Sequence, residues 1–302
     1  MSFSAQVKEE LIQLRNLAKK EEVKAEWVGY MISGNMTINR YTARFATESL
    51  ANAGRLTNLL KNLEVEDYAC KQTGKLHIVK FNKSIDIEGF HFAQDTAVIE
   101  PSYKQEIQSK ELLEKAVIRG VFLGSGSVNN PENNYHLEIS LVTEENAYFV
   151  ADILKKYHIE PKVLQKKNKI SIYMKDSECI SKFLALIGAT RAVLKFEDVR
   201  VVRNIKNNVN RKVNCETANL NKIVNSAVKQ IEDIQYIMKQ DTFYKMPENL
   251  QEMAMIRMQN PEASLEELGK LLEKPISKSG VNHRLKAIEK WAMELKQTKQ
   301  KE

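Results

Sequence analysis

The sequence predicts an α+β domain built from a degenerate internal duplication, followed by a small all-α helix-turn-helix domain. Three observations predict it. An apolar stretch punctuated by glycine occurs twice, at residues 26–35 and 117–127, and the same order of patterns follows each copy. Beyond Arg191 the composition turns basic and then helical. Beyond Met246 three helical patterns succeed one another with strong start and stop signals.

In the first copy the stretch Trp27-Val28-Gly29-Tyr30-Met31-Ile32-Ser33-Gly34 precedes an extended candidate at residues 41–47. A helix comes next, with Leu56, Leu59, Leu60 and Leu63 on one face. A strand pair, 68–71 and 75–81, turns at Thr73-Gly74. In the second copy a strand at 135–142 alternates His136, Glu138 and Ser140 with Leu137, Ile139 and Leu141. Its helix carries Val150, Ile153, Leu154 and Tyr157, and a hairpin, 162–165 and 169–174, turns around Lys167-Asn168. A closing helix, Ser177–Ile187, stops at Gly188 as a C-cap glycine would stop it. Equivalent features lie roughly 91 to 96 residues apart. The unit is helix, two strands, helix, two strands, helix, with helices laid on an antiparallel sheet.

From Arg191 to Lys212 seven bases (Arg191, Lys195, Arg200, Arg203, Lys206, Arg211, Lys212) face two acids, Glu197 and Asp198. A helix is expected at 216–239, where Ile223, Ala227, Ile231 and Ile234 repeat, then a linker at 241–247 and a frayed tail at 297–302. The expected organisation is therefore a duplicated domain at 1–215, a helical connector and linker at 216–245, and a helix-turn-helix domain at 246–302.

Residues 250–258 form the first helix of that module, and Pro261 ends the pattern. Ser264-Leu265-Glu266-Glu267 is a capping box, in which hydroxyl and carboxylate satisfy orphan backbone N–H groups. It opens a short helix with Leu265, Leu268, Leu271 and Leu272 inward, which Pro275 breaks. Ser277 or Ser279 caps the last helix, whose apolar residues Val281, Leu285, Ile288, Ala292 and Leu295 step by four and three. A second helix opening on Lys278, Ser279, Asn282, His283 and Arg284 suits a recognition helix, since asparagine and arginine pair bidentately with adenine and guanine. The same pattern also suits a three-helix packing or dimerisation module.

Composition narrows the classes. The 302 residues carry 46 basic against 39 acidic side chains, a net charge of +7 whose placement matters more than its size. Cys70, Cys179 and Cys215 are dispersed, so neither a disulfide framework nor a zinc site is expected, and the thiols are read as buried or inert. Lys8, Glu9 and Glu10 interrupt the start of the chain before a signal peptide can develop, and no membrane span is expected. The expectation is an intracellular protein without metal or other cofactor.

The segments Ser264-Leu265-Glu266-Glu267-Leu268-Gly269 and Ser277-Lys278-Ser279-Gly280-Val281-Asn282-His283-Arg284-Leu285 resemble the C-terminal signature of the bacterial WhiA family. So does Asn210-Arg211-Lys212-Val213-Asn214-Cys215-Glu216-Thr217-Ala218-Asn219, and the resemblance extends over essentially the whole chain. It implies a LAGLIDADG homing-endonuclease-like fold, joined to a helix-turn-helix similar to region 4 of sigma factors. It also implies transcriptional control in sporulation, or in cell division and chromosome segregation. The expected partners are double-stranded DNA and the transcription machinery or another regulator, with no membrane and a cytoplasmic, nucleoid-associated place in the cell. A nucleoid-associated protein, or a protein-interaction adaptor of the division machinery, is the alternative.

Under that resemblance residues 118–127 align with the endonuclease motif, and residues 28–35 align more weakly because Asn35 replaces the last glycine. Cleavage in such enzymes needs an acid at the end of each motif helix to hold divalent metal, and the corresponding positions here are Gly34 and Ser125. Binding rather than cutting is expected. The DNA-binding residues expected are Ser264, Lys274, Ser277, Lys278, Ser279, Asn282, His283, Arg284 and Lys286. Auxiliary contacts are expected from Lys162, Lys166, Lys167 and Lys169 in the second hairpin and from Arg203, Arg211 and Lys212.

Overall fold

The computed structural model describes residues 1–15, 19–166 and 169–299; of Lys166, Lys169, Thr298 and Lys299 it describes the backbone alone. The described chain divides into two compact units, Met1–Asn204 and Ile205–Glu302.

The first unit opens with α1 (Phe3–Ile12), capped by the Ser2 hydroxyl, which accepts from the Ala5 N–H. Phe3, Val7 and Leu11, spaced by four, bury its inner face. The first copy comprises α2 (Lys20–Met31), β1 (Met36–Ile38), β2 (Thr42–Thr47), α3 (Leu50–Asn62), β3 (Tyr68–Thr73) and β4 (Leu76–Asn82). A hairpin, β5 (Phe90–Ala93) and β6 (Thr96–Ile99), and α4 (Pro101–Ser109) separate the copies. The second copy is α5 (Glu111–Ser125), β7 (Gly126–Val128), β8 (Leu137–Leu141), α6 (Glu144–Lys156), β9 (Lys162–Lys166), β10 (Lys169–Met174) and α7 (Ser177–Ile187). Gly188 ends α7 in the left-handed region at φ 90°, as the C-cap reading requires.

Each copy folds the same antiparallel sheet, in order β1-β2-β4-β3 and β7-β8-β10-β9. The turn expected at Lys167-Asn168 lies outside the described residues. The inner strands bury alternate residues, so helices cover one face of each sheet (Ala43 and Phe45 point inward from β2, and Leu137, Ile139 and Leu141 from β8). The intervening hairpin adds Phe90 to the core, edge-on to Trp27 at 4.8 Å between ring centroids.

The two copies meet at α2 and α5. A Cβ on Gly29 would lie 2.3 Å from the Val117 carbonyl oxygen, and one on Gly120 would lie 2.0 Å from that of Glu26. The helices therefore pack backbone against backbone, which is what the repeated glycines are for. Beside this contact sits a buried ion cluster. Glu26 is 0% accessible; Arg55 of α3 donates to both its carboxylate oxygens at 2.7 and 2.9 Å, and Arg119 of α5 donates to Oε2 at 3.2 Å. Arg55 also donates to the Leu14 carbonyl and Arg119 to that of Ile187, so one carboxylate ties α2, α3 and α5 to the ends of α1 and α7.

The largest departure from expectation is α8, which runs unbroken from Thr190 to Lys239. A helix starting at Glu216 is thus corrected: the basic segment 191–212 is its first half, and the expected boundary at 215/216 falls mid-helix. Ala192 and Phe196 pack in the first unit, while Ala227, Ile234 and Ile237 are buried in the second. After the short turn Phe243–Lys245 come α9 (Glu248–Gln259), α10 (Leu265–Leu271) and α11 (Lys278–Lys299). The second core joins Ile234 and Ile237 of α8 to Leu250, Met253, Leu268, Val281, Leu285 and Ile288, so the module begins within α8 rather than at 246. The helix continues to Lys299 where a frayed tail was expected from 297. Two of the three thiols depart from the buried reading, since Cys70 and Cys215 are exposed. Among the described residues no helix is long and apolar enough to cross a membrane.

Candidate nucleic-acid interface

The C-terminal ends of α2 and α5 lie side by side where the endonuclease resemblance would put paired acids. Gly34 donates its N–H to the Ser140 carbonyl at 2.8 Å, and the Ser125 hydroxyl donates to the same oxygen. The carbonyls at the end of α5 meet donors: Asn35 Nδ2 reaches Gly124 at 2.8 Å, while Asn52 Nδ2 and Lys8 Nζ reach Leu123 at 2.9 and 3.3 Å. Amide and ammonium groups therefore occupy the end of α5, the opposite of what a cation site requires. Among the described residues no three His, Cys, Asp or Glu side chains gather as metal ligands.

Burial pulls the Lys8 ammonium down to about 8. A folded value below the unfolded one means that the folded state binds fewer protons, so stability rises with pH between about 8 and 10.5 and falls as pH drops through 8. Lys8→Met is expected to flatten that rise and to stabilise the chain modestly at pH 7. Thermal unfolding from pH 6.5 to 10.5 measures it; an unchanged pH profile would count against the burial argument.

In the second unit the capping box forms as expected: the Ser264 hydroxyl accepts from the Glu267 N–H at 3.3 Å, and Glu267 accepts from the Ser264 N–H at 2.7 Å. That carboxylate is held below its usual range by the Ser264 backbone hydrogen bond. Ser264 thus has a capping role, and Ser277 another, accepting from the Gly280 N–H. The helix-turn-helix is α10 and α11. Lys296 of α11 pairs with buried Asp233 of α8 at 2.7 Å, and Lys229 of α8 pairs with Glu289, fixing α11 along α8.

Helical spacing sorts the expected contacts by direction. Val281, Leu285, Ile288 and Ala292 define the buried face of α11. Ser279, His283 and Lys286 lie opposite it, Lys278 and Asn282 lie on the flank toward α8 and α10, and all five are exposed. Each is without a hydrogen-bond or ion-pair partner among the described residues. Arg284 is on the other flank: its guanidinium, 20% exposed, pairs with Glu252 of α9 at 3.4 Å and donates to the Asn249 carbonyl. It is a strut between α9 and α11 rather than a free donor. Lys274 is exposed in the loop before α11.

The auxiliary residues divide as well. Arg203 is engaged, donating to the Pro131 carbonyl at 2.7 Å and stacking on the Tyr135 ring. Arg191 is tied to Glu10 and Gln13 and Lys195 to Gln6, so these bases anchor the start of α8 to α1, while Arg200 pairs with Glu197 within α8. Arg211, Lys212 and Lys162 are exposed. Lys167 lies outside the described residues, as do the side chains of Lys166 and Lys169.

A duplicated α+β domain with glycine-packed motif helices, joined to a helix-turn-helix, defines a two-domain protein of the LAGLIDADG-like and helix-turn-helix class. Residues 114–206 match the WhiA LAGLIDADG-like domain and residues 209–292 the WhiA C-terminal HTH domain. The chain belongs to the WhiA family. It is 37% identical to a protein of Clostridium beijerinckii named "Probable cell division protein WhiA", over 99% of this chain and all of that one. It is 38% identical to a protein of the same name from Enterococcus faecalis, covering 98% and 99%. The crystal structure of full-length DUF199/WhiA from Thermatoga maritima superposes with a TM-score of 0.57 at 30% identity, covering 97% of this chain and 99% of that one. The family domain that begins at 209 includes the second half of α8, in agreement with the core found here.

Proposed function

We propose that the protein is a DNA-binding transcriptional regulator of cell division and chromosome segregation that binds DNA without cutting it. It works in the cytoplasm, at the nucleoid, beside the transcription machinery. The exposed start of α11 carries this reading: Ser279, His283 and Lys286 on its outward face and Asn282 on the adjoining flank present donors and acceptors on a helix held on its own core. The names of the relatives support the cellular setting. Non-cleavage is supported by Gly34 and Ser125, which offer no anionic ligand for metal. Arg211, Lys212 and Lys162 would add salt-dependent affinity that tolerates sequence.

On this reading Asn282→Ala and His283→Ala each weaken binding to a specific site by roughly 10- to 100-fold, the worth of a base-edge contact. Lys286→Ala weakens all sequences alike and lowers the salt slope by about 1. Gel-shift titration at several salt concentrations, on sites taken from chromatin immunoprecipitation, reads both. Unchanged affinity in the Asn282 and His283 variants would remove α11 as the reading helix. A protein-interaction role in the division machinery is the second reading, favoured by the apolar side chains that α8 leaves exposed, Val201, Ile205, Val209, Val213, Leu220 and Val224.

A further inference from the structure

Beside the first turn of α11, helices α8, α9, α10 and α11 enclose a cavity of about 300 Å³. Arg257 of α9 lines it and is 1% accessible. Its Nε donates to Gln230 Oε1 at 2.9 Å, and its Nη1 to the carbonyls of Ala263 and Asn260 at 2.6 and 3.5 Å. All these acceptors are neutral, and among the described residues no carboxylate comes within ion-pair distance of the guanidinium. The other two buried arginines, Arg55 and Arg119, share the Glu26 carboxylate. Arg257 is therefore a buried positive charge to which the described residues supply no counter-charge, and burial lowers its pKa from the usual guanidinium value.

The rim adds to the deficit. Lys222 of α8 and Lys278 of α11 line the same cavity, and neither has an ion-pair partner among the described residues. Glu266, the acid in the lining, is taken by Lys270 at 3.0 Å. Asn282 and Ser226 supply neutral donors. The volume is at the lower end of ligand pockets and suits one small group rather than an extended molecule. The Nη2 amino group of Arg257, which none of those acceptors takes, and the two ammonium groups on the rim match the oxygens of a phosphate.

We propose that this cavity binds a phosphate group, with Arg257 as its buried counter-charge and Lys222 and Lys278 closing over it. The group comes either from a nucleic-acid backbone or from a soluble phosphorylated molecule, and the site stands whether or not α11 reads base sequence.

Thermal unfolding of the full chain in sodium phosphate, against sodium chloride at equal ionic strength and pH, tests it. The wild-type midpoint is expected to rise by about 5 °C at phosphate well above its dissociation constant. Most of that increment is lost in the Lys222→Ala/Lys278→Ala double variant, whose altered side chains are exposed and leave the core intact, and in Arg257→Gln if it folds. Equal midpoints in the two salts overturn the proposal. So does an increment that is undiminished in the double variant, because it is then only the general stabilisation that excluded anions give any protein. Calorimetric titration of pyrophosphate, with and without saturating duplex, separates the sources: competition points to backbone phosphate and simultaneous binding to a soluble ligand, and either supports the site. Because the phosphate melts and the titration without duplex need no DNA, failure of the recognition helix to read DNA leaves the test of the site itself unaffected.

Discussion

Glu26→Ala is expected to destabilise the duplicated domain by about 3–5 kcal/mol, the usual cost of removing one partner from a buried ion pair. Two buried arginines lose their shared carboxylate at once. Water cannot replace it, since Glu26 has no accessible surface. Glu26→Gln keeps the shape but not the charge and should lose most of the same stability. Exchanging Glu26, Arg55 and Arg119 together for leucine or methionine should cost less than Glu26→Ala alone, because the desolvation of all three charges is removed with their attraction. Urea unfolding followed by the fluorescence of Trp27, in a Trp291→Phe background, reports on this unit alone. A loss below about 1 kcal/mol for Glu26→Ala would mean that the cluster is not a staple.

Gly120→Ala is expected to cost about 3 kcal/mol or more, though it adds one methyl group. The Cβ would sit 2.0 Å from the Glu26 carbonyl oxygen and 2.9 Å from its carbon. Those atoms are backbone in a packed helix, so relief requires α2 and α5 to part along their length. Moving them apart also stretches the hydrogen bond from Arg119 to Glu26, so the two predictions are coupled and the double variant should fall short of additivity. Gly54→Ala is the control of opposite sign. It lies within α3, and a Cβ there meets nothing within 4 Å, so it should stabilise by roughly 0.5–1 kcal/mol through helix propensity. Thermal unfolding measures both; a Gly120→Ala variant as stable as wild type would show that the helices are not in backbone contact.

Features that depend on neighbours in the chain were legible. The apolar steps of α3, α6 and α7, the alternation of β8, the stop at Gly188 and the capping box at Ser264 are local patterns, and each is present. The hairpin β5–β6 was not, because its turn residues Gln94-Asp95 contain no glycine and Gln94 itself takes φ 50°. The continuity of α8 had a usable signal that charge obscured: no glycine or proline stands between Thr190 and Lys239. The burial of Glu26 had none, since its partners are 29 and 93 residues away. At the interface, residue type suggested Arg284 as a reader of guanine. Its tether to Glu252 depends on which flank of α11 faces α9, which appears only once the helices are packed.

The glycines at the α2–α5 contact repeat at a spacing of 91 residues, but the charges around them do not: Glu26 corresponds to Val117, and Arg119 to Val28. A symmetric pair of ancestral halves would have carried every residue twice across its axis. Here the acid resides in one half and one of its two bases in the other, so neither half is complementary to a copy of itself. Two first halves would face each other without Arg119, and two second halves would bury that arginine against valine. Once such a division of labour exists, cutting the gene back into single halves no longer restores a homodimer. The duplication has become heritable only as a whole, and later change in one half must be answered in the other.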